Sequence, residues 1–457
     1  MVEEAGGLGV VRAIAAEVER VSYGGLPRDV IDSLKRALLD YLGVALMGYG
    51  MGAPALLAYA KAAGGSGEAT IIGDGARVSP GVAAGVNAQF AYNTDFDETG
   101  PGNHAFSMIA STALAAGESV GSDGRAILAA MAVAYQLNGK FHRSLIPGRS
   151  TAGIRHLPVN VAVCAGKLVG LDRARLEQAI ELAWMLAPAE LDSVFRSAWW
   201  RSVGQGDVLI CPAGMNAALL AEHGVEGPLG LVEAEGIYDA AGLRDLNGPE
   251  PFHYVRHEMH LKPWIGSRGT HGAIQLARQI VLEATIRPAD IEEIVVQCRA
   301  LYLRPPFDCP RPQAWQDAAY SVQWTIVMAI LGYEPGPEWL KEERLRDPEA
   351  LRLTSAIRLV EDPIATEIWE SGRRFAPELS NTISIEARGQ VFTRSLRAAE
   401  FLGSPQAPLS GQQVADKFLR LSVPVIGKER AANVLRWVNT LDKQADVRTL
   451  MPLLMHE

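Results

Sequence analysis

The sequence has few cysteines, and they do not gather. Cys164, Cys211, Cys298 and Cys309 are spread along the chain, none in a CxxC pair and none with histidines at zinc spacing. Free thiols in a reducing compartment are the expectation. Long apolar runs are also missing; the longest, AILAAMAVAY, is too short to span a bilayer. There is no basic excess either, since 43 Lys and Arg stand against 52 Asp and Glu, a net charge of −9. Phosphate backbones need clustered Lys and Arg, so nucleic acid is excluded as a main partner, while scattered arginines leave room for a small anionic metabolite. GxSxG, a Walker A loop and a GxGxxG after a strand are all absent. The N-terminal MVEEAGGLGVVRAIAAEVER carries acids where a signal peptide carries bases. A cytoplasmic enzyme is expected, with no membrane partner.

What is present is apolar and helical. At 457 residues and 48% hydrophobic, the chain is long enough for two domains. Residues from about 8 to 265 read mostly as helix. PRDVIDSLKRALLDYLGVALMG, SPGVAAGVNAQFAYNTD, SMIASTALAAGES, GRAILAAMAVAYQLNGKFHRSL and LPVNVAVCAGKLVGL carry apolar residues at helical spacing with many Ala and Gly. Such small residues predict a tightly packed helical core. GGSGEATIIGDGARVS interrupts them and reads as a loop with a short hairpin, because its β-prone ATII follows the glycines. Past about 265 the texture becomes α+β. IEEIVVQCRA reads as a strand and NTISIEARGQVFTRSLRAA as a hairpin, with a helix over QDAAYSVQWTIVMAILG. SGQQVADKFLRL opens a helical tail that can return to the first domain.

The stretch NTDFDETGPGNH, from Asn93 to His104, stands out between two alanine-rich helices. Asp95, Asp97, Glu98 and Thr99 precede a histidine that neighbouring carboxylates can orient as a proton carrier. The plainer reading is a solvated acidic loop. His156 falls at a helix N-terminus, where the dipole favours a neutral, basic imidazole; a capping or core histidine is the plainer alternative. Lys262 lies where the texture changes, a place where domains often hold ligands, although a surface lysine is the simpler reading. His253, His257 and His260 in FHYVRHEMHLKPW are spaced for one helical face, yet HEMH is not HExxH and Pro263 argues for a broken segment. No catalytic metal is expected.

Taken together, GVNAQFAYNTDFDETGPGNHAFSMIASTALAAGE, GIRHLPVNVAVCAGKLVGL, AALLAEHGVEGPLGLVEAEGIYDAAG, LKPWIGSRGTHGAIQLARQI, DAAYSVQW and PLSGQQVADKF resemble, in order, the MmgE/PrpD family. That family includes 2-methylcitrate dehydratase, cis-aconitate decarboxylase and iminodisuccinate epimerase. The resemblance implies a mainly α fold, with a large all-helical domain formed by 1–265 and 405–457. A smaller α+β lid, 266–404, is inserted between them. It implies a homodimer without cofactor, acting on a small carboxylate in the cleft between domain and lid. His104, His156 and Asp95 fall on the family's catalytic positions, and Thr99 and Lys262 on substrate-binding ones. Two histidines on opposite sides of the substrate would then move a proton next to a carboxylate.

The departures bear on specificity. His104 is followed by Ala105, where many members have proline, and Gly-Pro-Gly precedes it. A family lysine falls on Val203, with Arg201 close enough to substitute after a small shift. A family tyrosine falls on Trp324, which with Trp199 and Trp200 would make an apolar pocket wall or ordinary core. A substrate unlike methylcitrate or cis-aconitate follows. A lyase is expected, dehydration first and decarboxylation second. An epimerase, a non-catalytic ligand-binding homologue and a metalloenzyme using His253, His257 and His260 are the rivals.

Overall fold

A computed structural model describes residues 9–146, 155–187 and 206–456, apart from the single positions 66, 102, 235, 249, 372, 374, 375 and 377. The fold is mainly α. Helices α1 (Gly9–Arg20), α2 (Arg28–Gly50), α3 (Pro54–Ala63), α4 (Pro80–Tyr92), α5 (Ala105–Val120), α6 (Gly124–Arg143), α7 (Leu157–Leu168), α8 (Arg173–Met185) and α9 (Asp207–Glu222) pack as one body. The short hairpin β1 (Ala69–Thr70) and β2 (Arg77–Val78) sits beside them.

Alanine and glycine explain the packing. Every residue of α4 except Val82 is buried, so no face of it meets water. Small side chains let its neighbours approach from all sides. At Gly48 of α2 an added Cβ would lie 1.9 Å from the Phe90 carbonyl oxygen of α4. At Gly214 of α9 it would lie 2.4 Å from the Pro158 carbonyl oxygen of α7. Both helix crossings therefore depend on the missing side chain.

After a short helix, α10 (His253–His257), the chain enters an α+β unit. Helix α11 (His271–Glu283) packs on a sheet of β3 (Ile291–Cys298), β4 (Ile357–Glu361), β5 (Ser380–Ala387) and β6 (Gln390–Arg397) in the order β4-β3-β5-β6. Strands β3 and β4 are parallel; β5 pairs antiparallel with both β3 and β6. Burial alternates along β5 because one sheet face meets the helix and the other does not. Here the expected single helix over QDAAYSVQWTIVMAILG is divided. It runs as α12 (Trp315–Tyr320) and α13 (Val322–Ile330), parted at Ser321, whose extended backbone and hydroxyl cap the second piece at the Trp324 N–H, 3.0 Å.

The tail forms α14 (Gly411–Asn439), kinked where Gly427 takes a φ of 76°. It packs along α2 and so returns to the helical body. Its Lys417 is buried and ion-paired to Asp40 of α2 at 2.8 Å. The same ammonium donates to the carbonyls of Phe96, 2.8 Å, and Lys262, 2.9 Å. One cation from the tail thereby fixes α2, the acidic loop and the start of the α+β unit together.

Candidate active site

The acidic loop is not solvated. Asp95, Asp97, Glu98 and Thr99 are all buried. Burying carboxylates is unfavourable unless each finds a partner, and each does. Asp95 turns the chain through a left-handed φ of 47°, a conformation Asp tolerates better than most residues. Its carbonyl accepts from the Gly266 N–H at 3.1 Å and from Lys262 Nζ at 3.0 Å, while its carboxylate is ion-paired to the same ammonium. Glu98 accepts from the Tyr135 hydroxyl and from the Phe106 N–H at 3.2 Å. Burial nevertheless pushes the Glu98 carboxyl up to about 8, so it holds a proton at neutral pH.

Asp97 is the exception in sign. Burial raises its pKa, but the hydrogen bond to His104, with Lys262 and the Ser107 hydroxyl, brings it below the ordinary carboxylate value. Its Oδ1 lies 3.0 Å from His104 Nδ1, and its Oδ2 accepts from Ser107 Oγ at 2.8 Å. An ionised Asp97 selects the tautomer with the proton on Nδ1, which leaves the Nε2 lone pair of His104 for chemistry. That Nε2 is 3.8 Å from Asp95 Oδ1. The ring packs edge-on against Tyr92, centroids 5.1 Å apart. His104 stands at the N-terminus of α5 and is partly open, while Asp97 beneath it is sealed.

His104 faces a cavity of about 1110 Å³ between the helical body and the α+β unit. Thr99 and Asn103 adjoin it on the same wall. Thr99 exchanges backbone hydrogen bonds with His260, 3.0 and 2.9 Å, which ties the loop to the segment leading into the sheet. Ser267, Arg268, Arg299 and Tyr302, from the α+β unit, line the same cavity. Arg268 is buried between two histidines and donates to His260 Nδ1 at 3.3 Å, while its Nη1 lies 3.2 Å from His271 Nδ1. Burial, then the Arg268 charge, holds both imidazoles well below their ordinary pKa, so both are neutral. Burial also lowers Arg268 to about 9, which leaves it cationic at neutral pH. Arg299 lies 3.4 Å over the Trp369 ring and donates to the Tyr302 hydroxyl at 2.5 Å. The Tyr302 hydroxyl shares a further hydrogen bond with Ser267 at 2.8 Å. A chain of net negative charge thus turns guanidinium groups into one cavity.

The residues expected from the sequence fall into layers. Asp95, Thr99, His104 and Lys262 come together. Lys262 is fully buried, ion-paired to Asp95 and not on the cavity wall. His156 is fully buried and not on the cavity wall. Its Nε2 lies 2.9 Å from Asn138 Oδ1, its Nδ1 3.1 Å from the Tyr238 hydroxyl, and Phe141 stacks on its ring. Asn138 in turn exchanges amide hydrogen bonds with Asn103, 3.2 and 3.3 Å. His104 thus lines the cavity, while His156 is buried and linked to it through Asn138 and Asn103. Trp324 is buried in the α+β unit and gives its indole N–H to the Trp339 carbonyl at 2.7 Å. Arg201, Val203, Trp199 and Trp200 lie outside the described residues.

Two groups of side chains have metal-ligand character among the described residues. Asp95, Asp97 and His104 form one, and Glu250, His253 and His257 the other. In the first, Lys262 and Ser107 already occupy carboxylate oxygens. The spaced trio His253, His257 and His260 is not brought together, because α10 ends at His257 and His260 pairs with Thr99 and Arg268 instead. The sequence marks Asn103 only as part of NTDFDETGPGNH and does not single out Arg268, Arg299 or Tyr302. The GSRGTHG stretch around Arg268 comes nearest to a signal, since its glycines permit close approach: a Cβ at Gly269 would meet the Tyr302 hydroxyl at 2.2 Å.

Comparison with known proteins places the geometry in a context. Residues 12–245 match the MmgE/PrpD N-terminal domain, and residues 266–443 the MmgE/PrpD C-terminal domain. The second match crosses from the sheet into α14, although α14 packs on the helical body. Human cis-aconitate decarboxylase is 22% identical over 473 residues, covering 97% of this chain and 94% of that protein. The mouse cis-aconitate decarboxylase is 22% identical over 471 residues, with 97% and 93% covered.

Proposed function

Since the chain belongs to the MmgE/PrpD family, as its two domain matches show, we propose that it is a lyase acting on a small carboxylic acid in the cavity beside His104. The observation that carries this reading is His104 itself: braced at Nδ1 by ionised Asp97, and lining one cavity together with Arg268 and Arg299. A guanidinium of that cavity binds a substrate carboxylate, and the adjacent carbon is thereby held near Nε2. Nε2 takes a proton from that carbon. The electron pair becomes the new carbon–carbon double bond as the C–O bond of a neighbouring hydroxyl breaks, and the departing oxygen takes the proton from the His104 imidazolium, leaving as water and returning the imidazole to its neutral form. The guanidinium groups stabilise the enediolate charge that builds on the carboxylate, and Asp95 and Asp97 stabilise the imidazolium. No electron acceptor enters this balance.

Lys262 supports the site by neutralising Asp95, so that an anionic substrate does not meet an uncompensated carboxylate. His156 acts by holding Asn138 and, through it, Asn103 beside His104.

A second reading, decarboxylation, is favoured by the named activity of the human and mouse relatives. There a carboxylate departs as carbon dioxide and the resulting carbanion takes its proton from His104. Supplying hydroxy di- and tricarboxylates and cis-aconitate, and recording alkene absorbance beside released carbon dioxide, separates the two. Absorbance gained without carbon dioxide means dehydration. Carbon dioxide evolved in step with substrate loss means decarboxylation.

A further inference from the structure

The FHYVRHE segment, which the proposed reaction does not use, gathers metal-binding groups at the cavity rim. Helix α10 sets His253 and His257 one turn apart on one face, with ring centroids separated by 5.0 Å. Glu250 precedes the helix, and its Oε1 lies 2.6 Å from His257 Nε2. Ligand atoms of Glu250, His253 and His257 all lie within 4.8 Å of one another. Glu258, just past the helix, brings Oε1 to 3.3 Å from His253 Nε2. Zinc–nitrogen bonds of about 2.0–2.1 Å at tetrahedral angles place ligand atoms roughly 3.3 Å apart. Small side-chain rotations suffice to reach that spacing.

We propose that Glu250, His253 and His257 bind one divalent transition-metal ion of the zinc class, with Glu258 as a fourth donor. Imidazole with carboxylate and no thiolate suits zinc, nickel or cobalt rather than magnesium or calcium. The surrounding charges permit it. Arg256 pairs with Glu250 at 3.1 Å but also with Asp29 at 2.8 Å, so Glu250 can turn to a metal without stranding that guanidinium. Arg143 is ion-paired at 2.5 Å to the same Glu258 Oε1 that approaches His253, so Glu258 would offer a metal its other carboxylate oxygen. Glu250 and His257 are well exposed, which gives an ion a way in. His253, His257 and Glu258 also line the cavity with His104, so a bound ion sits at its entrance rather than at the proton-transfer group. The Asp97–His104 pair shares no ligand with it. The ion is therefore an accessory one, placed to modulate entry of a carboxylate.

Calorimetric titration of the full chain with zinc chloride tests this, repeated with cobalt(II), whose visible absorption reports its coordination. The expected result is one equivalent per chain with a tetrahedral cobalt spectrum. In His253→Ala/His257→Ala, affinity falls by more than the roughly 10–100-fold that loss of a mere supporting group causes. His257→Gln alone, at an exposed position, gives the same direction should the double variant unfold. Absence of binding to the native chain overturns the proposal and leaves ion pairs only. Unchanged binding in the variants also overturns it, and places the ion elsewhere.

Discussion

At the scale of single residues, one imidazole is asked to move the proton and another to hold the wall. His104→Asn removes the base while keeping a group of similar reach, and turnover is expected to fall about 10²–10⁴-fold, the usual contribution of a positioned proton carrier. His156 invites a different substitution. Its Nε2 serves Asn138, and glutamine can supply the same N–H from a similar place. His156→Gln is therefore expected to retain most turnover with an unshifted pH profile; a loss as large as that of His104→Asn would make His156 a proton carrier after all. Glu98 gives a prediction in stability. Its folded pKa is raised by burial to about 8 from an ordinary 4.5, so the folded chain binds the extra proton. Its contribution is fully present below the unfolded value and is lost as pH rises through the folded one, at up to about 1.4 kcal/mol per pH unit. Melting temperatures of Glu98→Gln, recorded over that window, should fall less steeply with pH than those of the native chain.

At the scale of elements, the helices and the hairpin were legible because their physics is local. Apolar spacing marked α2 and α4 to α7, and alternation marked β5 and β6. The break at Ser321 was not legible, since residues on both sides of it are buried and no glycine or proline marks the change. Of the site, NTDFDETGPGNH could be read, because charge between alanine-rich helices is conspicuous. Lys417 could not: it stands in an ordinary amphipathic tail, and only folding brings it beneath the acidic loop. Burial raises the Asp40 carboxyl in spite of this partner, a sign of how much depends on it. Lys417→Met should leave that carboxyl without its cation and lower stability by about 3–5 kcal/mol in denaturant titration. Asp40→Asn combined with it should recover part of the loss.

At the scale of the whole molecule, the helical body contributes His104 to the cavity and the α+β unit contributes Arg268 and Arg299, so the proposed reaction needs both halves. In the proposed reaction, specificity would rest on the Arg299–Tyr302–Ser267 chain that lines the same cavity. The central claim is that His104 takes a proton from the carbon beside a carboxylate and that a group then leaves. Native protein and His104→Asn, each given a panel of di- and tricarboxylic acids in deuterium oxide and followed by proton NMR, test it most directly. The account predicts loss of water or carbon dioxide from one acid, with solvent deuterium appearing next to a carboxylate wherever a proton is returned, and no such change in the variant. Turnover undiminished in His104→Asn, or inversion at carbon with nothing lost, would contradict it.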